Sequence, residues 1–231
     1  MDDYLARAAA QPEASRTELI NGQIVFIAPE QLQHNRLKNR ILSALEREIG
    51  RTGREAEAFT SGVTIPIDAH TAYEPDASVR LGPPLSGREM KIPDPVIVFE
   101  VLSPSSRHMD TSAKLIGYFR ISSMQHYLVI DPDARTVTHH WRDTDVKIAS
   151  QNTYVRRAPA RSAGPHRHAH GCVWLRLSGR SGLLRDRSIS HWIRLVPGPW
   201  QDLSLIVELA ILSQLLWKLP VWSAIPVPSG R

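Results

Sequence analysis

One run constrains this chain more than any other. Residues 95–102 read Pro-Val-Ile-Val-Phe-Glu-Val-Leu, apolar at every position except Glu100. A strand with one face in water alternates apolar and polar residues, whereas a run apolar on both parities belongs to a strand covered on both sides. This segment is therefore expected at the centre of a sheet with layers on both faces. An unpaired carboxylate in such a strand costs several kcal/mol, so Glu100 is expected to have a task that repays its burial.

The neighbouring segments supply the layers. In residues 18–27 two apolar stretches meet at Asn21-Gly22, a hairpin signal because both residues accept positive φ. From about residue 32 to 50, Leu37, Ile41, Ala44, Leu45 and Ile49 recur at helical spacing, with Gly50 or Gly53 as the stop. Strands are expected over residues 58–67, 75–81 and 95–102, and a second helix over 110–120. A hairpin over 127–131 and 136–141 should turn at Pro132-Asp133. The order of hairpin, helix, strands, helix, strands predicts an α/β (α+β) fold in which helices flank a mixed sheet, not a doubly wound one.

The chain divides near residue 150. Residues 1–150 hold 17 Lys and Arg against 20 Asp and Glu, net −3, while residues 151–231 hold 11 against 3, net +8; together they give the +5 of the whole chain. Ten of the eleven later cations are Arg, five of the six Trp fall there, and periodicity is lost between residues 156 and 170. Two domains of unequal character are expected: an ordered unit over 1–150 and an irregular basic extension over 151–231. The extension reads as an out-of-frame segment or as a basic tail that grips nucleic acid.

Several functions are disfavoured. No Gly-rich phosphate loop and no Gly-x-Ser-x-Gly elbow is present. The single Cys172 cannot form an internal disulfide, and the chain does not open on a secretory pattern, so a cytoplasmic setting is expected. The most apolar window, about 15 residues over 203–217, is shorter than the roughly 20 needed to span a bilayer and contains Glu208. No membrane association is expected. The run of His166, His168, His170 and Cys172 carries zinc-ligand chemistry but lacks the separated pairs of a scaffolded site.

The chemistry concentrates elsewhere. Asp76, in Tyr73-Glu74-Pro75-Asp76, lies 24 positions before Glu100, and Lys114 follows in the second helix. Two carboxylates at adjacent strand ends, with a backbone carbonyl such as that of Val101, suffice to hold Mg²⁺, which keeps several of its waters. Hydrolysis of a phosphodiester needs charge neutralised on the phosphoryl group and hydroxide made available, and a divalent ion serves both. Position 102, where a cation would share the face of Glu100, is Leu; the missing cation can come from the second helix, where Asp110, Lys114 and Tyr118 fall on one face and Lys114 carries the charge. These residues read as a metal-dependent nuclease.

Several separate motifs in order, spanning about residues 3–148, resemble the PD-(D/E)XK nuclease superfamily and, within it, the Uma-two-type restriction endonucleases. They are Thr17-Glu18-Leu19-Ile20-Asn21-Gly22-Gln23-Ile24-Val25, Gln33-His34-Asn35-Arg36, Glu74-Pro75-Asp76-Ala77-Ser78-Val79, Val98-Phe99-Glu100-Val101-Leu102-Ser103-Pro104-Ser105-Ser106 and Asp110-Thr111-Ser112-Ala113-Lys114-Leu115. The resemblance implies a restriction-endonuclease-like core. It implies Asp76 and Glu100 as metal ligands, Lys114 as the catalytic lysine moved from strand to helix, Glu18 as a third acidic site residue and His34 near the cleft. Mg²⁺, with Mn²⁺ as a substitute, is the expected cofactor, DNA the expected partner, and a homodimer a candidate assembly. The alternatives are an inactive nuclease fold that binds nucleic acid through Arg36, Arg40, Arg47 and the tail, or a subunit of a larger assembly. Tyr118 is expected in the core.

Overall fold

The computed structural model describes residues 1–9, 16–103, 111–143, 145–154, 173–176 and 192–195. Its elements are α1 (Asp2–Ala9), β1 (Thr17–Ile20), β2 (Gln23–Phe26), α2 (Leu32–Thr52), β3 (Ala56–Thr60), β4 (Ile65–Pro66), β5 (Ala72–Tyr73), β6 (Ala77–Leu81), β7 (Pro95–Val101), α3 (Thr111–Arg120), β8 (His126–Asp131), β9 (Thr136–Arg142), β10 (Ile148–Tyr154), β11 (Val173–Arg176) and β12 (Trp192–Leu195). They form a six-stranded sheet in the order β10-β9-β8-β7-β6-β3, a four-stranded sheet β2-β1-β5-β4, and a separate β11-β12 pair.

The large sheet is mixed. β7 and β8 run parallel, while every other pairing in it is antiparallel. A parallel pair needs a crossover, and α3 lies in the connection from β7 to β8. The apolar run of β7 is an interior strand, buried at six of its seven positions, with Glu100 the intermediate one.

Alternation along β7 sorts its side chains between two cores. Ile97, Phe99 and Val101 pack with Leu37, Ile41, Ala44 and Leu45 of α2. Val98 and Leu102 face the other way, toward a cluster containing Tyr73, Tyr118, Phe119 and Tyr127. Glu100 shares the parity of Val98 and Leu102, so the pleat turns it toward α3. α2 ends at Gly53, which takes left-handed φ 63° and donates its N–H to the carbonyl of Ile49. At the hairpin, Asn21 and Gly22 take φ 51° and 83°.

One sequence expectation is adjusted. The single strand expected over residues 58–67 is two strands, β3 and β4, which lie in different sheets; Gly62, at φ 102°, stands in the connection between them. The edge strand β10 pairs with β9 through Tyr154 and so crosses residue 150. Asp110, the expected start of the second helix, lies outside the described residues, as do the His166–Cys172 run and residues 203–217. Among the described residues, no helix is long and apolar enough to cross a membrane.

Candidate active site

Four segments distant in sequence converge beside β7. Lys114, on α3, donates from Nζ to Glu100 Oε1 and to Glu18 Oε1, both at 2.9 Å. Glu18 comes from β1 of the small sheet, and the same Oε1 accepts the backbone N–H of Glu74 at 3.0 Å. One helical turn beyond Lys114, the Tyr118 hydroxyl donates to Glu100 Oε1 at 2.9 Å. Spacing of four on α3 therefore aims a cation and a hydroxyl at one carboxylate.

Asp76 stands where β6 begins. Ala77 pairs with Phe99, so antiparallel register brings Asp76 beside the Glu100 end of β7. Its Oδ2 accepts the Val101 N–H at 2.7 Å, and its Oδ1 accepts from His34 Nε2 at 3.0 Å. That bond places the His34 proton on Nε2; among the described residues, its buried Nδ1 has no partner. Thr60 fixes the Asp76 backbone by donating to its carbonyl at 3.2 Å.

A second group of charges surrounds Asp76 from the side of α2. Lys38 Nζ, almost fully buried, contacts Glu30 Oε1 at 2.5 Å, Ser61 Oγ at 2.6 Å and Asp76 Oδ1 at 3.8 Å. Arg16 pairs with both Glu30 and Glu74, and Glu74 also accepts the Gly62 N–H at 2.7 Å. One ligand atom each from Glu30, His34 and Asp76 lies within 4.8 Å of the others, close enough to hold a metal ion.

Protonation follows from burial set against these charges. For Glu100 burial is the largest influence; Lys114 opposes it, but the charges of Asp76 and Glu18 add to it, and the carboxyl rises to about 7. Asp76 is also penalised by burial, yet His34, the Val101 N–H and Lys38 outweigh that penalty and hold it below the usual carboxylate range. Burial pulls Lys114 down, but Glu100 and Glu18 overcome it and keep the ammonium charged. Lys38 is pulled below the ordinary lysine range chiefly by its burial. Tyr118 is pushed well above ordinary tyrosine by burial and by the Glu100 charge, so its hydroxyl remains a donor.

This donor set fits a hard divalent cation. Glu18, Glu30, Glu74, Asp76 and Glu100 face three permanent cations, Arg16, Lys38 and Lys114. Carboxylate oxygens are the ligands Mg²⁺ prefers, and five carboxylates against three cations leave room for further positive charge.

Residues 1–162 match the family Uma2, described as "Putative restriction endonuclease". The chain belongs to the Uma2 family. A relative in Synechocystis sp. (strain ATCC 27184 / PCC 6803 / Kazusa), the uncharacterized protein sll1609, is 32% identical over 146 residues, covering 62% of this chain and 80% of its own. A crystal structure titled as a putative nuclease belonging to DUF820, from Anabaena variabilis ATCC 29413, superposes with a TM-score of 0.53 at 19% identity. The match covers 69% of this chain and 88% of that one, and supports the nuclease-type fold.

Within this Uma2 chain, the residues singled out from sequence occupy one region. Glu18, Glu100 and Lys114 touch directly; Asp76 and His34 touch each other, and Asp76 joins the group through Val101 and its charge on Glu100. Val101 enters through its N–H; its side chain is buried in the α2 core. Tyr118 is in the core as expected, but it also contacts the site. Lys38, Glu30, Arg16 and Glu74 were not singled out as site residues. Lys38 had a readable signal: it falls among Leu37, Ile41 and Leu45 on the buried stripe of α2, where a charge requires a partner. Glu30, between Pro29 and the helix, had none.

Proposed function

We propose that this chain is a divalent-metal-dependent endonuclease that hydrolyses DNA phosphodiester bonds, with Mg²⁺ as its cofactor and Mn²⁺ able to replace it. The observation that carries the reading is Lys114 Nζ held between Glu18 and Glu100, with Asp76 at the start of the adjoining strand. Asp76 and Glu100 would hold the ion, with the Val101 carbonyl as a third protein oxygen. When bound there, the ion supplies charge neutralisation at the phosphodiester and acidifies water.

The chain's own residues do the rest. Lys114 keeps its proton and can move from the carboxylates to a phosphoryl oxygen or an incoming water, stabilising charge that develops in the transition state. Glu18 holds Lys114 in place while accepting the Glu74 N–H. His34 and the Val101 N–H fix both oxygens of Asp76, and Tyr118 orients Glu100. Arg36 and Arg47 lie exposed on α2, where they can meet a phosphate backbone. Residues beyond β10 are read as an appended basic segment that adds to this attraction.

The test is conversion of supercoiled plasmid by purified protein with Mg²⁺, Mn²⁺ or EDTA, alongside Glu100→Ala. Nicking is expected only with metal and only in the parent. Salt-sensitive plasmid binding without cleavage would favour an inactive nucleic-acid-binding fold; Glu100→Ala nicking as fast as the parent would remove Glu100 from the chemistry.

A further inference from the structure

Lys38 is enclosed as a metal ion would be. Its Nζ faces Glu30 Oε1 at 2.5 Å, Ser61 Oγ at 2.6 Å and Asp76 Oδ1 at 3.8 Å, and only 5% of its side chain is exposed. Around it, Glu30, His34 and Asp76 offer ligand atoms within 4.8 Å of one another. Those three residue types form a competent divalent site, since carboxylate oxygens and an imidazole nitrogen suit Mn²⁺ and related ions. The ammonium already has two of the carboxylates as partners, and a divalent ion added beside it would meet a like charge at contact distance, a repulsion large in a buried setting.

We propose that Lys38 occupies the place of a second divalent cation, so that the active site takes a single ion on the Glu100 side of Asp76 and Lys38 supplies the fixed charge on the other side. The inference rests on the metal-dependent reading above. It adds that Glu30, His34 and Asp76 form a latent ion site that Lys38 keeps closed. The sequence carries the means for this: His34 and Lys38 are one helical turn apart on α2, so both reach the same carboxylate, and the turn from Pro29 brings Glu30 beneath them.

The experiment counts bound Mn²⁺ per full-length chain by titration calorimetry and by loss of the free-ion paramagnetic resonance signal. It compares the parent with Glu100→Gln, Glu30→Gln, Lys38→Met and Lys38→Met/Glu30→Gln. Ions bound elsewhere, including on the histidines of the C-terminal segment, are common to all and cancel in the differences. Glu100→Gln is expected to bind one ion fewer than the parent, and Glu30→Gln the same number. Lys38→Met should bind one ion more, and adding Glu30→Gln should abolish that gain. A parent that does not exceed Glu100→Gln would remove the metal-dependent reading, which the Lys38 comparison does not decide. If the parent exceeds Glu100→Gln but Lys38→Met takes no additional ion, or if Glu30→Gln alone releases one, the Lys38 proposal falls while the reading stands. Should Lys38→Met be unfolded in EDTA, Mn²⁺ in the ammonium's place is expected to restore a cooperative melt; failure of Mn²⁺ to do so also overturns the proposal.

Discussion

Replacing Glu100 by Gln removes one titration from the fold. In the ion-free protein the Glu100 carboxyl is displaced from 4.5 to about 7, chiefly by burial, with Lys114 opposing and Asp76 and Glu18 adding. The unfolded chain releases that proton near 4.5, the folded chain near 7. Between these values the folded state holds more protons than the unfolded one, so stability falls as pH rises. The contribution is complete below the unfolded value and is lost as pH passes through about 7. At about 1.4 kcal/mol per pH unit, the interval corresponds to about 3 kcal/mol. Gln has the shape of the protonated acid and no titration, so Glu100→Gln escapes the loss. Urea or thermal unfolding of both proteins in EDTA, at intervals from pH 5 to pH 8, measures the difference directly. The stability of the variant relative to the parent should grow by about 3 kcal/mol across that range. In thermal terms this is roughly 6–12 °C for a domain of this size. Stability profiles that stay parallel would mean that Glu100 titrates as an ordinary carboxyl and that its burial beside Asp76 and Glu18 does not hold it protonated.

Other residues give separate tests. Lys114→Met should lower plasmid cleavage by about 100-fold or more, the loss typical of removing one transition-state donor, in a single-turnover assay with the metal saturating. Tyr118→Phe removes a donor to Glu100; the midpoint of the pH-dependent stability loss should move upward, and an unchanged midpoint would contradict the assigned bond. Gly117→Ala would ordinarily stabilise a helix by about 1 kcal/mol, but here the added Cβ would stand 2.7 Å from Tyr73 Cε2 and 3.0 Å from its hydroxyl oxygen. Overpacking of about 1–3 kcal/mol should win, seen as a lower urea midpoint.

What the sequence revealed and what it hid divide along a physical line. The Asn21-Gly22 hairpin, the apolar stripe of α2 and the buried strand around Glu100 follow from local periodicity and turn chemistry, and each is legible within about ten residues. Glu18, Asp76, Glu100 and Lys114 were legible because each interrupts or adjoins such a pattern and together they resemble a nuclease motif set. The flanking network was not. Arg16 meets Glu74 across 58 positions, and Lys38 meets Ser61 across 23; such contacts exist only once β1 and α2 have packed against the strands. α1 was missed because it spans only eight residues and anchors chiefly through Tyr4 and Leu5. β5 was missed because two residues cannot display a period. The double role of Tyr118, whose ring is core and whose hydroxyl is site, depends on which strand α3 covers, and residue type alone does not encode that.

The central claim is that Asp76 and Glu100 hold one divalent ion beside Lys114. Its most direct test is the anomalous scattering of Mn²⁺ in crystals of the full chain. The account predicts one strong peak in the site, in contact with carboxylate oxygens of both Asp76 and Glu100. A peak enclosed instead by Glu30, His34 and Asp76 with Lys38 displaced, or no peak within reach of Glu100 at saturating Mn²⁺, would contradict it.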